Sequence, residues 1–164
     1  MIGIPRDAAS TGNSVPNSIE PVGVVRSPRL NGLDDWGDVE SRIELDPEVY
    51  EPTATVGLEG YSHVEVIFSF HLAPKTCRGA QHPRGNPDWP EVGILAQRAP
   101  NRPNHLGVSV CELLAVDGLT LTVRGLDALD ATPVLDVKPY LLDFAPRGEV
   151  REPQWSRDLM RDYF

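Results

Sequence analysis

The sequence has few cysteines, aromatic residues and basic residues, and it has no long apolar run. Two cysteines, Cys77 and Cys111, are too few for a disulfide framework, and no metal-type spacing surrounds them, so both are expected to be reduced. No stretch approaches the ~20 apolar residues of a membrane-spanning helix. The first residues lack the basic and then apolar order of a secretory signal. These absences predict a cytoplasmic protein with no membrane partner and no metal.

Acidic residues outnumber basic ones, which argues against a general nucleic-acid-binding protein. The chain has 24 Asp and Glu against 15 Lys and Arg, a formal net charge of −9. Between Lys75 and Arg102, however, five basic residues stand against two acidic ones, a local net charge of +3. The sequence therefore predicts one local basic surface on an acidic protein.

Length and turn-forming residues predict a single all-β domain with little helix. A chain of 164 residues fits one domain, and 16 prolines and 14 glycines indicate many turns between short strands. Such a pattern favours an antiparallel barrel or sandwich with long Pro/Gly-rich loops. We expect a disordered tail over residues 1–18, a β-domain over 19–142 and a C-terminal tail over 143–164.

Strands are predicted where apolar residues alternate or where short apolar runs are bounded by turn signals. In 61–71, Val64, Val66, Phe68 and Phe70 share one face of the clearest strand. Asp117-Gly118 predicts a two-residue hairpin turn, and Asp46 with Pro47 predicts a short helical turn. Residues 72–90 form an unusually long loop. The predicted strands are 19–26, 39–45, 61–71, 92–97, 107–116, 119–124 and 132–140.

The segment from Gln97 to Gly107 is predicted to be a rigid loop that presents arginines and amides. Pro100 and Pro103 fix φ and push the preceding residues into extended geometry. Arg98 and Arg102 carry planar guanidinium groups suited to carboxylate or phosphate. A proline-stiffened surface loop with solvated arginines is the alternative that this segment alone would favour.

Other residues that could carry chemistry give weaker signals. His63 and His71 lie about 26 Å apart on a straight strand, too far to share a metal ion. Ser62 and His63 are adjacent on a predicted strand and should point to opposite faces, so a hydrolase pair is not expected. Asp136 and Lys138 face the same side and could form a buried or half-buried pair. No glycine-rich dinucleotide motif follows a strand.

Three separated blocks resemble the TsaA/TrmO family. GLEGYSHVEVIFSFH (57–71) is similar to its G-L-E-G-F-S-H-I-W-V-L-F-W-F-H block. VGILAQRAPNRPNHLGVSV (92–110) is similar to its V-G-V-F-A-T-R-x-x-x-R-P-N-P-I-G-L-S block, and LDALDATPVLDVKPY (126–140) to its L-D-x-x-D-G-T-P-V-L-D-I-K-P-Y block. IEPVGVVRSPR (19–29) matches the family's opening strand. The resemblance covers about residues 19–142 in the same order.

The resemblance implies a β-barrel methyltransferase that uses S-adenosylmethionine without a Rossmann fold. Characterised members methylate N6 of threonylcarbamoyl-adenosine beside the anticodon of tRNA, as homodimers with the cofactor near the subunit interface. The cofactor contacts carried over by motif are Ser27, Pro28, Arg29, Ser62, His63, Arg98, Leu129, Asp130, Ala131 and Thr132. Arg102, Asn104 and Lys138 would shape the pocket, and Asp136 and His63 are the candidates for a catalytic base.

The chain departs from the family pattern at three positions within these blocks. His105 stands where the family has proline, Ala131 where it has glycine, and Glu65 where it has tryptophan. The chain also ends soon after the third block, so the extra C-terminal domain of longer members is not expected. Two alternative functions stay open: a methyltransferase acting on a small metabolite, and a non-catalytic S-adenosylmethionine-binding module.

Overall fold

A computed structural model describes residues 18–32 and 34–164 of the chain. The predicted disordered tail lies outside these residues except for Ser18. The described part is mostly strand, with a single α-helix. Its strands are β1 (Gly23–Arg26), β2 (Glu40–Leu45), β3 (His63–Ser69), β4 (Ala80–Gln81), β5 (Val92–Gly93), β6 (Leu106–Asp117), β7 (Thr120–Arg124) and β8 (Pro133–Pro139), and its helix is α1 (Gln154–Leu159).

Six of the strands close into an antiparallel barrel in the order β1-β2-β7-β6-β3-β8. The barrel closes where β1 pairs with β8, with Gly23 opposite Val134. The predicted all-β barrel with little helix is therefore confirmed. Since closure pairs every barrel strand on both sides, the barrel has no free edge.

The barrel interior is filled by the alternate residues of each strand. On β3, Val64, Val66 and Phe68 are buried, and the residues between them face outward, as the alternation predicts. Each fully buried side chain of this kind contributes roughly 1.5–3 kcal/mol. The rest of the buried core consists of Val25, Ile43, Cys111, Leu121, Val123, Leu126, Ala128 and Val134.

Two predicted turns are confirmed. Gly118 has φ of 56° between β6 and β7, a conformation that suits glycine and closes the hairpin. Asp46 accepts a hydrogen bond at its side chain from the Glu48 amide (2.8 Å), and its carbonyl accepts from the amides of Val49 and Tyr50. Asp46 therefore begins a helical turn after β2.

The prediction of a strand over residues 92–97 is wrong. Within this range only Val92 and Gly93 pair as a strand, with β4, and Ile94–Ala96 forms one turn of 3-10 helix. The turn allows Ile94 to be buried while its neighbour Leu95 stays exposed. The long loop that precedes it contains β4 and a second 3-10 turn, Pro83–Gly85.

The C-terminal segment lies against the barrel. After α1, the amides of Asp35 and Trp36 donate to the carbonyls of Asp162 (3.0 Å) and Tyr163 (2.8 Å). Gly37 lies so close to Phe164 that an added Cβ would stand 2.7 Å from its carbonyl carbon. The segment predicted to be a tail thus carries a helix and pairs with the loop before β2.

Candidate functional site

Four loops meet at one end of the barrel. Ser69 pairs with Leu106, so the end of β3 lies beside the start of β6. Phe68 and Gly23 both pair with Val134, which brings the start of β8 and the strand β1 to the same place. The loops that follow β1, β3 and β7, and the loop that precedes β6, therefore converge here.

Four hydrogen bonds join β1 and the loop after it to the turn before β8, one of them from the Val25 amide to the Thr132 carbonyl (2.9 Å). The Ala131 amide donates to the Val25 carbonyl (2.9 Å), and the Asp130 amide donates to the Arg29 carbonyl (2.8 Å). The Asp130 carboxylate accepts from the Ser27 amide at 3.0 Å, across 103 residues of chain. Two predicted parts of the site, 27–29 and 129–132, are thus brought together.

Ala131 takes the left-handed conformation with φ of 62°. This region of φ costs an L-residue other than glycine about 1–2 kcal/mol. The TsaA/TrmO pattern has glycine at this position. The turn therefore has the backbone conformation that glycine favours, although the residue in this chain is alanine.

His71, which the sequence analysis does not place in the pocket, contacts this turn. Thr132 is buried, and its hydroxyl lies 3.3 Å from Nδ1 of the exposed His71. His71 comes two residues after β3, and the sequence raises it only as a possible metal partner of His63. Its position at the end of the clearest strand was the available signal.

Arg29 shapes its own loop. Its guanidinium donates to the carbonyls of Asn31 (3.4 Å), Asp34 (2.7 Å) and Asp35 (3.1 Å), and its carbon lies 4.8 Å from the centre of the Trp36 ring. A cation over an aromatic face adds roughly 0.5–1 kcal/mol at such a site. Residues 29–32 and 34–36 are therefore folded around the Arg29 side chain.

The arginine loop, residues 97–107, is anchored by its amide side chains to the neighbouring β4–β5 sheet. Gln97 is 8% exposed, and its Nε2 donates to the carbonyls of Gln81 (3.0 Å) and Val92 (2.9 Å). Asn101 Nδ2 donates to Oε1 of Gln81 at 3.0 Å. These bonds hold the loop against the small β4–β5 sheet.

The two arginines of this loop differ in their surroundings. Arg102 Nη1 donates to the Gln97 carbonyl at 2.9 Å and so closes the loop on itself. Arg98 is exposed and donates through Nη2 to the Val108 carbonyl on β6. Asn104 lines an open groove on the outer wall of the barrel, beside Leu106 and Pro133.

His105 bends the loop into β6 with φ of 51°. Its amide donates to the Arg102 carbonyl (3.0 Å), its carbonyl accepts from Phe70 (2.7 Å), and its Nε2 lies 3.1 Å from the Thr76 hydroxyl. Proline has φ near −65° and no amide hydrogen. The proline of the family pattern therefore cannot take the conformation that this loop adopts at residue 105.

Ser62 and His63 lie at the opposite end of β3 from the 129–132 turn. Val64 pairs with Pro139 and Phe68 with Val134, so His63 and Thr132 are separated by roughly 20 Å along β8. The Ser62 hydroxyl lies 2.9 Å from Nδ1 of His63, because Ser62 precedes the strand. The expectation that these side chains point apart is therefore wrong. Both residues are exposed.

Asp136 and Lys138 form the expected ion pair, but on the outer wall of the barrel. Their side chains are 38% and 55% exposed, so the pair joins a half-buried aspartate to an exposed lysine. The carboxylate stabilises the ammonium and raises the pKa of Lys138. Neither side chain lies among the converging loops of the same chain.

The structure adds a cluster around Asp127 that sequence reasoning missed. The hydroxyls of Ser109 and Tyr163 donate to the two carboxylate oxygens of Asp127, the second at 2.6 Å. Burial, reinforced by the negative charge of Asp127, raises the pKa of Tyr163 well above its ordinary value. Asp127 stands in the 126–140 block that resembles the family, but no local pattern points to Tyr163, which is 36 residues away.

The basic residues predicted between 75 and 102 flank these loops. Arg84 forms an ion pair with Asp34, which ties the long loop to the loop after β1. Lys75, Arg78 and Arg98 are exposed. This end of the molecule therefore carries exposed positive charge on a protein of net charge −9.

These features define a six-stranded antiparallel barrel with a polar, partly basic site at one end. Residues 24–145 match the family model described as the tRNA-methyltransferase O N-terminal domain, and the chain belongs to this family. The resemblance found in the sequence is thereby confirmed.

Individual relatives agree with this assignment. A protein of Methanothermobacter thermautotrophicus named "Probable S-adenosyl-L-methionine-binding protein" is 42% identical over 79% of this chain and 94% of its own length. The human tRNA (adenine(37)-N6)-methyltransferase is 32% identical over 92% of this chain and 35% of its own length. A crystal structure of TrmO from P. aeruginosa aligns with a TM-score of 0.69 at 30% identity, covering 88% of this chain. This chain spans 64% of that TrmO chain.

Proposed function

We propose that this chain is an S-adenosylmethionine-dependent methyltransferase that acts on tRNA, at N6 of a threonylcarbamoyl-adenosine beside the anticodon. The observation that carries the proposal is the joining of 27–29 to 129–132 at the barrel end where Arg98 also lies. Family membership and the names of the relatives support it. Such an enzyme would act in the cytoplasm, and no described helix is long and apolar enough to cross a membrane.

The converging loops offer groups that fit the proposed cofactor. The cofactor supplies a methyl group on a sulfonium, together with a carboxylate and a nucleoside that the protein must bind. Arg98 uses one guanidinium nitrogen for Val108, and among the described residues its other N–H groups have no partner. A guanidinium binds a carboxylate with charge-assisted hydrogen bonds. The exposed His71 imidazole, which lies beside the buried Thr132 hydroxyl, can bind a hydroxyl or ring-nitrogen group of the nucleoside.

In this proposal the protein contributes mainly orientation. Methyl transfer is a displacement in which donor and acceptor must be held in line, and holding them in near-attack geometry can lower the barrier by several kcal/mol. The loop around Gln97 and the turn at Asp130 are suited to this, because hydrogen bonds to neighbouring segments already hold each of them in place.

A homodimer is also part of the proposal. Ser62 and His63 are carried over as cofactor contacts, yet they lie roughly 20 Å from the 129–132 turn within one chain. One cofactor can contact both groups only if a second copy of the chain supplies one of them. Sedimentation at micromolar concentration would test this, and a strictly monomeric active enzyme would remove Ser62 and His63 from the site.

The deciding experiment is methyl transfer from labelled S-adenosylmethionine to tRNA from a strain that lacks this modification. Label in a methylated threonylcarbamoyl-adenosine nucleoside would support cofactor, reaction and substrate together. No transfer with calorimetric cofactor binding intact would favour the alternatives, a small-metabolite methyltransferase or a non-catalytic module. The name of the Methanothermobacter relative, a probable binding protein, favours the non-catalytic module among these alternatives. A tRNA affinity that falls steeply with salt would favour the tRNA enzyme.

Arg98→Ala tests the cofactor assignment. Loss of a charge-assisted contact should weaken cofactor affinity by about tenfold or more. Arg42→Ala is the matched control, because Arg42 is an exposed arginine on the outer wall of the barrel. Equal affinity of the Arg98→Ala and Arg42→Ala variants would contradict the assignment.

A further inference from the structure

Two segments beside the candidate site contain basic residues and no acidic ones. Residues 71–87 and 92–111 include none of the 24 acidic residues of the chain. Their basic residues are Lys75, Arg78, Arg84, Arg98 and Arg102. Positive charge is thus separated from negative charge along this chain, and a surface built from these two segments attracts anions.

Hydrogen bonds join the two segments into one surface. The Cys77 amide donates to the Asn101 carbonyl (2.8 Å). The Thr76 hydroxyl lies 3.1 Å from Nε2 of His105. The 75–78 segment is therefore held against the arginine loop.

Two cations of this surface are free to bind a ligand. Lys75 and Arg78 are exposed, and neither forms an ion pair with a described residue. Arg84, in contrast, is paired with Asp34, and Arg98 is assigned above to the cofactor. Three residues of extended chain span at most about 10 Å, so Lys75 and Arg78 can bind the same stretch of a polyanion.

The 75–78 segment adjoins the candidate site. Lys75 comes four residues after His71, whose Nδ1 lies 3.3 Å from the Thr132 hydroxyl of the turn. Four residues of extended chain span at most about 14 Å. A polyanion bound at 75–78 therefore lies next to the converging loops and not on a distant face of the barrel.

We propose that residues 75–78 bind the phosphate backbone of the RNA acceptor, through the side chains of Lys75 and Arg78. The inference rests on the proposed function, because it assigns a binding surface to the tRNA of that reaction. Lysine and arginine bind phosphate oxygens with charge-assisted hydrogen bonds. Phosphate contacts fix the position of a nucleic acid and carry no sequence information. The 75–78 segment therefore contributes affinity for RNA and leaves the choice of nucleotide to the site.

The test is the salt dependence of tRNA binding by the Lys75→Ala, Arg78→Ala double variant, measured by fluorescence anisotropy. Each lost phosphate contact should make the slope of log K against log salt less steep by about 0.7–0.9, so two should change it by about 1.4–1.8. The ratio of dissociation constants, variant to wild type, should then shrink about tenfold between about 50 and 200 mM salt. KM for tRNA should rise, while kcat and the calorimetric affinity for S-adenosylhomocysteine stay within about twofold.

Two further double variants separate the local effect from charge and folding. Arg42→Ala with Arg147→Ala removes the same total charge from exposed residues outside the two segments, and should leave the slope unchanged. Lys75→Arg with Arg78→Lys keeps both charges, and should keep the wild-type slope, because either side chain binds phosphate.

The results distinguish this inference from the proposed function. A wild-type slope in the Lys75→Ala, Arg78→Ala variant, or the same change in the Arg42→Ala, Arg147→Ala variant, would overturn the inference even if the enzyme methylates tRNA. If the wild type binds tRNA but transfers no methyl group, the proposed function fails, and the slopes still test the 75–78 segment. A wild type that binds no tRNA would overturn both.

Discussion

Gly107→Ala should destabilise the barrel at the point where the arginine loop enters β6. Gly107 lies opposite Phe68, and a Cβ at residue 107 would stand 2.4 and 2.5 Å from two atoms of the Phe68 ring. Ordinary carbon contacts are about 3.5–4.0 Å, so the overlap exceeds roughly 1 Å. Phe68 is 1% exposed and packs edge-on against Phe70, so the ring has no free space to enter.

The expected loss follows from this overlap. Extra volume in a closed core costs about 1–3 kcal/mol, and replacing a strand glycine by alanine returns about 0.5–1 kcal/mol through the unfolded chain. We therefore expect the free energy of unfolding to fall by about 1–2 kcal/mol, measured by urea denaturation with an unchanged m-value. Gly93→Ala is the control, since Gly93 has φ of −59° and open space around it.

A double variant makes the explanation refutable. Phe68→Leu removes ring atoms that the new Cβ would meet, so the Gly107→Ala, Phe68→Leu pair should be more stable than the sum of the single effects by about 1 kcal/mol. Strict additivity, or a Gly107→Ala protein within about 0.5 kcal/mol of the wild type, would show that the close approach of Gly107 and Phe68 does not determine stability here.

Three other changes have defined outcomes. Ala131→Gly should raise the free energy of unfolding by about 0.5–1 kcal/mol by relieving the left-handed φ at an exposed side chain, and a loss in urea denaturation would contradict this. His105→Pro should lower the free energy of unfolding by more than about 1 kcal/mol, because proline cannot adopt φ of 51° and cannot donate the hydrogen bond from residue 105 to the Arg102 carbonyl. A neutral effect would show that the loop adopts another conformation. Burial, and then Asp127, raises the pKa of Cys111 from 9.0 to about 12, so stability should fall as pH rises from about 9 toward 12, less so in Cys111→Ala. Iodoacetamide at pH 8 should accordingly label Cys77 before Cys111, and equal labelling would contradict the burial of Cys111.

The barrel strands could be predicted where burial follows a period of two. β3 is buried on one face only, so Val64, Val66 and Phe68 alternate with outward residues, and the Asp117-Gly118 dipeptide fixes the hairpin that follows β6. The run 92–96 has no such alternation, and a short apolar run fits a strand or a helical turn equally well. Its conformation depends on the Gln97 side chain, which binds carbonyls of β4 and β5.

The candidate site could be predicted only in part. Arg98, Asp130 and Thr132 stand in blocks that the family resemblance covers, and the fold brings their loops to one end. The resemblance gave no distances, so it could not separate Ser62 and His63 from that end. Tyr163 belongs to no motif, because its contact with Asp127 depends on the path of the C-terminal segment along the barrel.

Closure of the barrel between β1 and β8 also has a consequence for the order of folding. The hairpin of β6 and β7 is local, but Ser27 and Asp130 are 103 residues apart and meet only when β1 pairs with β8. Contacts between such distant residues are slow to form, because the entropy of closing the loop is lost before the contacts are gained. We therefore expect the two halves of the site to assemble late, when the barrel closes, so that a chain still folding has the central hairpin before it has a binding site.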